Sequence, residues 1–228
     1  MSHDAPAIAI VPVKHLAAVK SRLAAVLTAP QRRALALAML DDVLAALTAT
    51  RGLAGSIVVG SDEAVAQLAH THGARYLGDT AGELNAALAL ASQAAADAGA
   101  AAVLVVPADL PTVVPAEIEA LLAARSRRPH IVLASADDGG TGALLLAPPQ
   151  AMPFAFGPGS AARHRSAARA AGLEVLELRA SGLARDIDRP GDLRQLIDTP
   201  RPTATQRLLA GFAGVQRTLH DPLAQAGT

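Results

Sequence analysis

Short apolar runs alternate along this chain with longer segments whose apolar positions recur every three to four residues. The runs at 7–13 (AIAIVPV), 55–61, 74–78, 101–111 (AAVLVVPADLP), 130–135, 142–148 and 173–178 read as strands. Helices are predicted between them at 30–50, 62–73, 82–99, 114–126, 159–172 and 189–198. Pro30 suits a first helical turn, and Gly99 a C-terminal cap. This alternation predicts an α/β domain with a mainly parallel sheet and helices on both faces, spanning residues 1–198. Residues 199–228 break the pattern. TPRPT reads as a linker, and ATQRLLAGFAGVQRTLH as an amphipathic helix that packs on the core or against a second copy in a homodimer.

Composition narrows the class. Half of the residues are hydrophobic but only 2% are aromatic, so the core must be built from Ala, Leu and Val. Formal net charge is zero, which argues against nucleic-acid or polybasic membrane binding. With no cysteine there are no disulfides, thiolate metal sites or thiol nucleophiles. No signal-peptide pattern opens the chain, and polar residues interrupt the alanine-rich stretch 86–106. The expectation is a soluble cytoplasmic protein.

Ligands of open α/β sheets bind beyond the carboxyl ends of the strands, so the residues that follow each strand are the informative ones. After the first strand come Pro12, Lys14, Lys20, Ser21 and Arg22. Lys14 and Lys20 are the only lysines, against 18 arginines. No glycine fingerprint of a dinucleotide or phosphate loop is present, so this is a cationic loop suited to a polyphosphate, or else two solvated lysines. Asp109 follows the central strand between Pro107 and Pro111, placed to hold a divalent cation or to cap a helix. Asp186 and Asp188 share one side of an extended segment, and Asp188 is also a candidate cap for the helix near Pro190. The glycine-rich loops at 137–143 and 156–164 offer backbone N–H groups to an anion, aided by Thr141 and Ser160, or are ordinary turns. The seven histidines show no metal-ligand spacing, and those at 70–72 are expected on a solvated face.

The segments VPVKHLAAVKSRLA, LNAALALA, VVPADLPTV, GTGALLL, FGPGSAARH and LARDIDRPGDL, in this order over residues 7–197, resemble the CofC/FbiD guanylyltransferases of coenzyme F-420 biosynthesis. The resemblance implies a Rossmann-like nucleotidyltransferase fold. It also implies transfer of GMP from GTP to a small phosphorylated carboxylic acid, with release of pyrophosphate. By motif position, Asp109 and Asp188 would be Mg²⁺ ligands and act with Lys20 in catalysis. Pro12, Lys14, Lys20 and Arg22 would lie by the triphosphate, Asn85 near the nucleoside, and Thr141, Gly157 and Ser160 at the acceptor.

One departure bears on the acceptor. The family loop usually reads GTNALL, and here Gly142 takes the place of Asn. Loss of the amide removes donors and is expected to add room, which tilts the expectation toward 3-phospho-D-glycerate over 2-phospho-L-lactate or phosphoenolpyruvate. The rival readings are a molybdopterin-type nucleotidyltransferase and a non-catalytic GTP-binding protein.

Overall fold

A computed structural model gives the fold and describes residues 6–13, 15–16, 19–80, 82–197, 199 and 202–212. The chain runs β1 (Ala7–Pro12), α1 (Ala29–Ala49), β2 (Leu53–Gly60), α2 (Glu63–Thr71), β3 (Arg75–Gly78), α3 (Leu84–Asp97) and β4 (Ala102–Val105). It continues through α4 (Pro115–Ala123), β5 (His130–Ser135), β6 (Thr141–Ala147), α5 (Ser160–Ala170), β7 (Glu174–Leu178), α6 (Pro190–Ile197) and α7 (Ala204–Ala210).

The seven strands form one sheet in the order β3-β2-β1-β4-β6-β5-β7. All neighbours are parallel except β6, which runs antiparallel to both β4 and β5. The short connection 136–140 dictates this, because a parallel partner needs a crossover of a dozen residues or more. Apolar runs without alternation mark strands covered on both faces. In β4, Ala102 and Leu104 join Val11 and residues of α1, α2, α4, α6 and α7, whereas Val103 and Val105 join Ile10 and residues of α3 and α5.

Local chemistry sets the helix starts. Thr28 and Gln31 form a reciprocal capping box on α1, and Pro30 sits in its first turn. Asp62 caps α2 by accepting from the Ala64 N–H at 2.9 Å. Asp42 of α1 accepts from the Ala204 and Thr205 N–H groups (2.6 and 2.9 Å) and the Thr205 hydroxyl (2.6 Å), so α7 is tied to α1 and buries Leu209 in the core. The predicted helix beyond Ala210 and residues 213–228 lie almost wholly outside the described residues. Among the described residues, no helix is long and apolar enough to cross a membrane.

From β1 the chain builds β2 and β3 on one side, then crosses to lay β4 on the other. The carboxyl ends of β1 and β4 therefore frame a topological switch point, where such sheets place their ligands.

Candidate functional site

The loop after β1 brings Lys20 to this point. Its backbone is left-handed (φ 53°, ψ 42°), a conformation that costs a non-glycine residue about 1 kcal/mol or more. The 3-10 turn Ser21–Leu23 follows, anchored by fully buried Leu23. So held, Lys20 directs its largely buried ammonium to Asp109 Oδ2 at 2.7 Å, with Asp188 Oδ1 at 3.8 Å. Arg22 donates to the other oxygen of Asp188 from a mostly exposed position. Residues from three separate loops thus converge: Lys20 and Arg22 after β1, Asp109 after β4, and Asp188 after β7. Pro12 ends β1 beside them in sequence, and Lys14 lies outside the described residues.

The capping alternatives resolve against both aspartates. Asp109 lies well before α4 and faces Lys20. Asp192 accepts from the Asp188 and Arg189 N–H groups at 2.9 and 2.6 Å, so the start of α6 is capped without Asp188. Asp186 is half-buried beside the pair. Burial, then the Asp109 charge, raises its pKa, and Lys20 opposes the rise.

The segment carrying these aspartates is wedged against the sheet. Ile187 N–H donates to the Asp109 carbonyl (3.2 Å) and Asp137 N–H to that of Ala184 (2.9 Å). Glu117 accepts from the Gly182 N–H at 2.8 Å and the Val114 N–H at 3.2 Å, linking this segment to the one after Asp109. A Cβ on Gly142 would lie 2.7 Å from the Leu183 carbonyl carbon and closer still to its oxygen. This corrects the reading of Gly142: the glycine opens no room for an acceptor, because the Leu183 backbone occupies the space.

The two glycine-rich loops differ. In 137–140 the N–H groups of Asp137, Gly139 and Gly140 are all taken within the protein, by Ala184 O, Ala136 O and Asp138 Oδ1. This is a hairpin turn and does not offer the expected set of donors. In 155–159, Gly157 and Gly159 are exposed residues, and among the described residues no partner takes their N–H groups. Thr141 and Ser160 lie under this second loop, with their hydroxyls 2.8 Å apart and buried, not facing solvent.

His164, four residues along the same helix face, completes that cluster. Its Nε2 accepts from the Ala155 N–H (3.0 Å), so the proton sits on Nδ1, which donates to Thr141 Oγ1 at 3.0 Å. Burial, aided by the Arg163 charge, pushes its pKa down to about 4, consistent with a neutral ring. The sequence reading missed His164; its i, i+4 spacing from Ser160 was the available signal. At the other end of the sheet, His72 was expected on a solvated face, but its ring is largely buried with Nε2 2.6 Å from Asp41.

Residues 7–212 match the family model described as "Guanylyl transferase CofC like". The chain belongs to this guanylyltransferase family. It is 46% identical over 189 residues to a phosphoenolpyruvate guanylyltransferase of Sphaerobacter thermophilus, covering 83% of this chain and 91% of the relative. It is 38% identical over 211 residues to a 3-phospho-D-glycerate guanylyltransferase of Phenylobacterium zucineum, covering 89% and 94%. Among solved structures, a putative nucleotide-diphospho-sugar transferase from Desulfovibrio desulfuricans aligns at TM-score 0.76 and 20% identity, covering 96% of this chain and 99% of the other. A nucleotidyl transferase from Methanothermobacter aligns at 0.63 and 16%, covering 90% and 99%. These likenesses establish a Rossmann-like nucleotidyltransferase fold.

Proposed function

We propose that this chain transfers GMP from GTP to the phosphate of a small phosphorylated carboxylic acid and releases pyrophosphate, in coenzyme F-420 biosynthesis. The observation that carries the reading is the convergence of Lys20, Asp109 and Asp188 at the switch point of a guanylyltransferase-family fold. Phosphoenolpyruvate is the proposed acceptor. Its guanylyltransferase is the name borne by relatives at 45–46% identity, and the packing of Gly142 removes the structural ground for favouring 3-phospho-D-glycerate.

The acceptor phosphate is mostly dianionic at neutral pH, since its second pKa is about 6. Its oxygen can attack the α-phosphorus without a general base, forming the new P–O bond as the bond to pyrophosphate breaks. The protein has to align two anions and neutralise their repulsion. Lys20 and Arg22 supply charge on the triphosphate side, together with Lys14 and the backbone at Pro12. The N–H of exposed Gly157 receives the acceptor, with Thr141 and Ser160 supporting its loop from below.

The Lys20 ammonium lies 2.7 Å from Asp109 and 3.8 Å from Asp188, which supports a cation position shared by the two carboxylates. Among the described residues no three His, Asp or Glu side chains gather into a metal site of their own. Two hard oxygen donors completed by substrate oxygens suit Mg²⁺, so Asp109 and Asp188 would hold it. When bound, it supplies positive charge to the phosphates.

Pyrophosphate release should be measured across GTP, ATP, CTP and UTP with the three acceptors, with and without Mg²⁺. The expected maximum is GTP with phosphoenolpyruvate and Mg²⁺. A CTP maximum would favour the molybdopterin-type reading, and GTP binding without release on any acceptor would favour a non-catalytic protein.

A further inference from the structure

Asn85 opens the first turn of α3, on the half of the sheet expected to hold the nucleotide, yet its side chain reaches across to the acceptor loop. The Phe156 N–H donates to Asn85 Oδ1 at 2.7 Å, and Asn85 Nδ2 donates to the Phe156 carbonyl at 3.3 Å. The amide thus pairs with both polar groups of one residue, 71 positions away in the chain.

The rest of the loop is held locally. Ala155 N–H goes to His164, and Arg163 grips the Ala155 carbonyl with Nε (3.2 Å) and Nη2 (2.8 Å) and also the Pro158 carbonyl. Ser160 N–H closes on the Gly157 carbonyl at 3.0 Å. The Phe156 ring stands edge-on to His164, with centroids 4.8 Å apart. Among the described residues, Asn85 is the one side chain from outside 141–164 that hydrogen-bonds this loop.

The consequence follows from peptide planarity. The Phe156 carbonyl and the Gly157 N–H belong to one planar trans peptide and point in opposite directions. By fixing the carbonyl, Asn85 fixes where the Gly157 N–H aims. Gly157 has φ +125° and no side chain of its own to restrain that peptide.

We infer that Asn85 is a positioning residue for the acceptor rather than a nucleoside contact: its amide clamps the Phe156–Gly157 peptide so that the Gly157 N–H meets the incoming anion. The inference rests on the proposed guanylyltransfer for its kinetic arm only.

The experiment compares the full-length wild type with Asn85→Ala in two ways. In steady-state kinetics with GTP and phosphoenolpyruvate varied separately, the acceptor KM should rise about tenfold, the worth of one to two hydrogen bonds, while the GTP KM stays within about twofold. In hydrogen exchange without substrates, the Phe156 amide should lose protection in the variant while the interior of α3 keeps it. A rise in the GTP KM with an unchanged acceptor KM would overturn the inference, and so would unchanged exchange at Phe156. If the wild type guanylylates no acceptor, the functional reading fails instead, and exchange at Phe156 still decides the clamp.

Discussion

On the side of β1 and β4, Lys20, Asp109 and Asp188 hold one another by charge. On the side of α5, the backbone of loop 155–159 is held by hydrogen bonds from the side chains of Asn85, Arg163 and His164, with no carboxylate among them. The first arrangement is provisional by construction. Lys20 is strained at its backbone, and its ammonium faces the two carboxylates that the proposal gives to a metal. If Asp109 and Asp188 hold a metal, the Lys20 ammonium would be free to pair with phosphate oxygens instead. The second arrangement needs no exchange of partners, because each local anchor is in place and Gly157 is exposed. One side is set to rearrange, the other to receive.

The sharpest break in this contrast is removal of the carboxylates. Asp109→Ala or Asp188→Ala should lower turnover about a thousand-fold or more while the protein stays folded, checked by activity beside circular dichroism. Near-normal activity in both variants would sink the metal assignment.

The next effect falls on the wedge that carries Asp188. Gly142→Ala forces the Leu183 backbone to move and should cost about 3 kcal/mol. In a chain of this size that is a melting-temperature fall of roughly 6–12 °C. An unchanged melting temperature would mean that the Leu183 segment shifts freely.

Acid should then loosen the side of α5 selectively. His164 titrates near 4 in the fold, against about 6.5 when unfolded, so the unfolded state takes up the proton first as pH falls. Its contribution is fully present above about pH 6.5 and is lost between 6.5 and 4, by about 3 kcal/mol. Urea midpoints at pH 7.5, 5.5 and 4 read this directly, and a His164→Gln variant should flatten that part of the curve.

The smallest effect belongs to Arg22, which is mostly exposed and screened by solvent. Arg22→Ala should raise the GTP KM only a few-fold, and less at high salt. A loss as large as that of an aspartate variant would place Arg22 at the reacting atoms.

Much of this was legible in the sequence, for identifiable reasons. Strands covered on both faces show as unbroken apolar runs, and Pro30 and Gly99 mark where one helix begins and another ends. Residues that follow strands in an α/β sheet meet at one edge, which brings forward Lys20, Asp109, Asp186 and Asp188 as candidates, and the family resemblance picks out Lys20, Asp109 and Asp188 among them. The remainder depended on contacts between distant segments. Gly142 reads locally as a missing side chain, and only the fold shows the Leu183 carbonyl in its place. Asn85 reads as a polar residue opening a helix, and its partner at Phe156 leaves no local trace. Asp192 competes with Asp188 for one cap, and the sequence alone does not rank them. The left-handed backbone of Lys20 is set by its loop, not by the preference of lysine.

The central claim is direct attack of the acceptor phosphate on the α-phosphorus of GTP, and oxygen-18 tracing tests it most directly. Phosphoenolpyruvate labelled in its phosphate oxygens should yield a guanylylated product that retains all of the label, including the bridging oxygen, and pyrophosphate that carries none. Label in the pyrophosphate, or GMP released in place of the adduct, would contradict it.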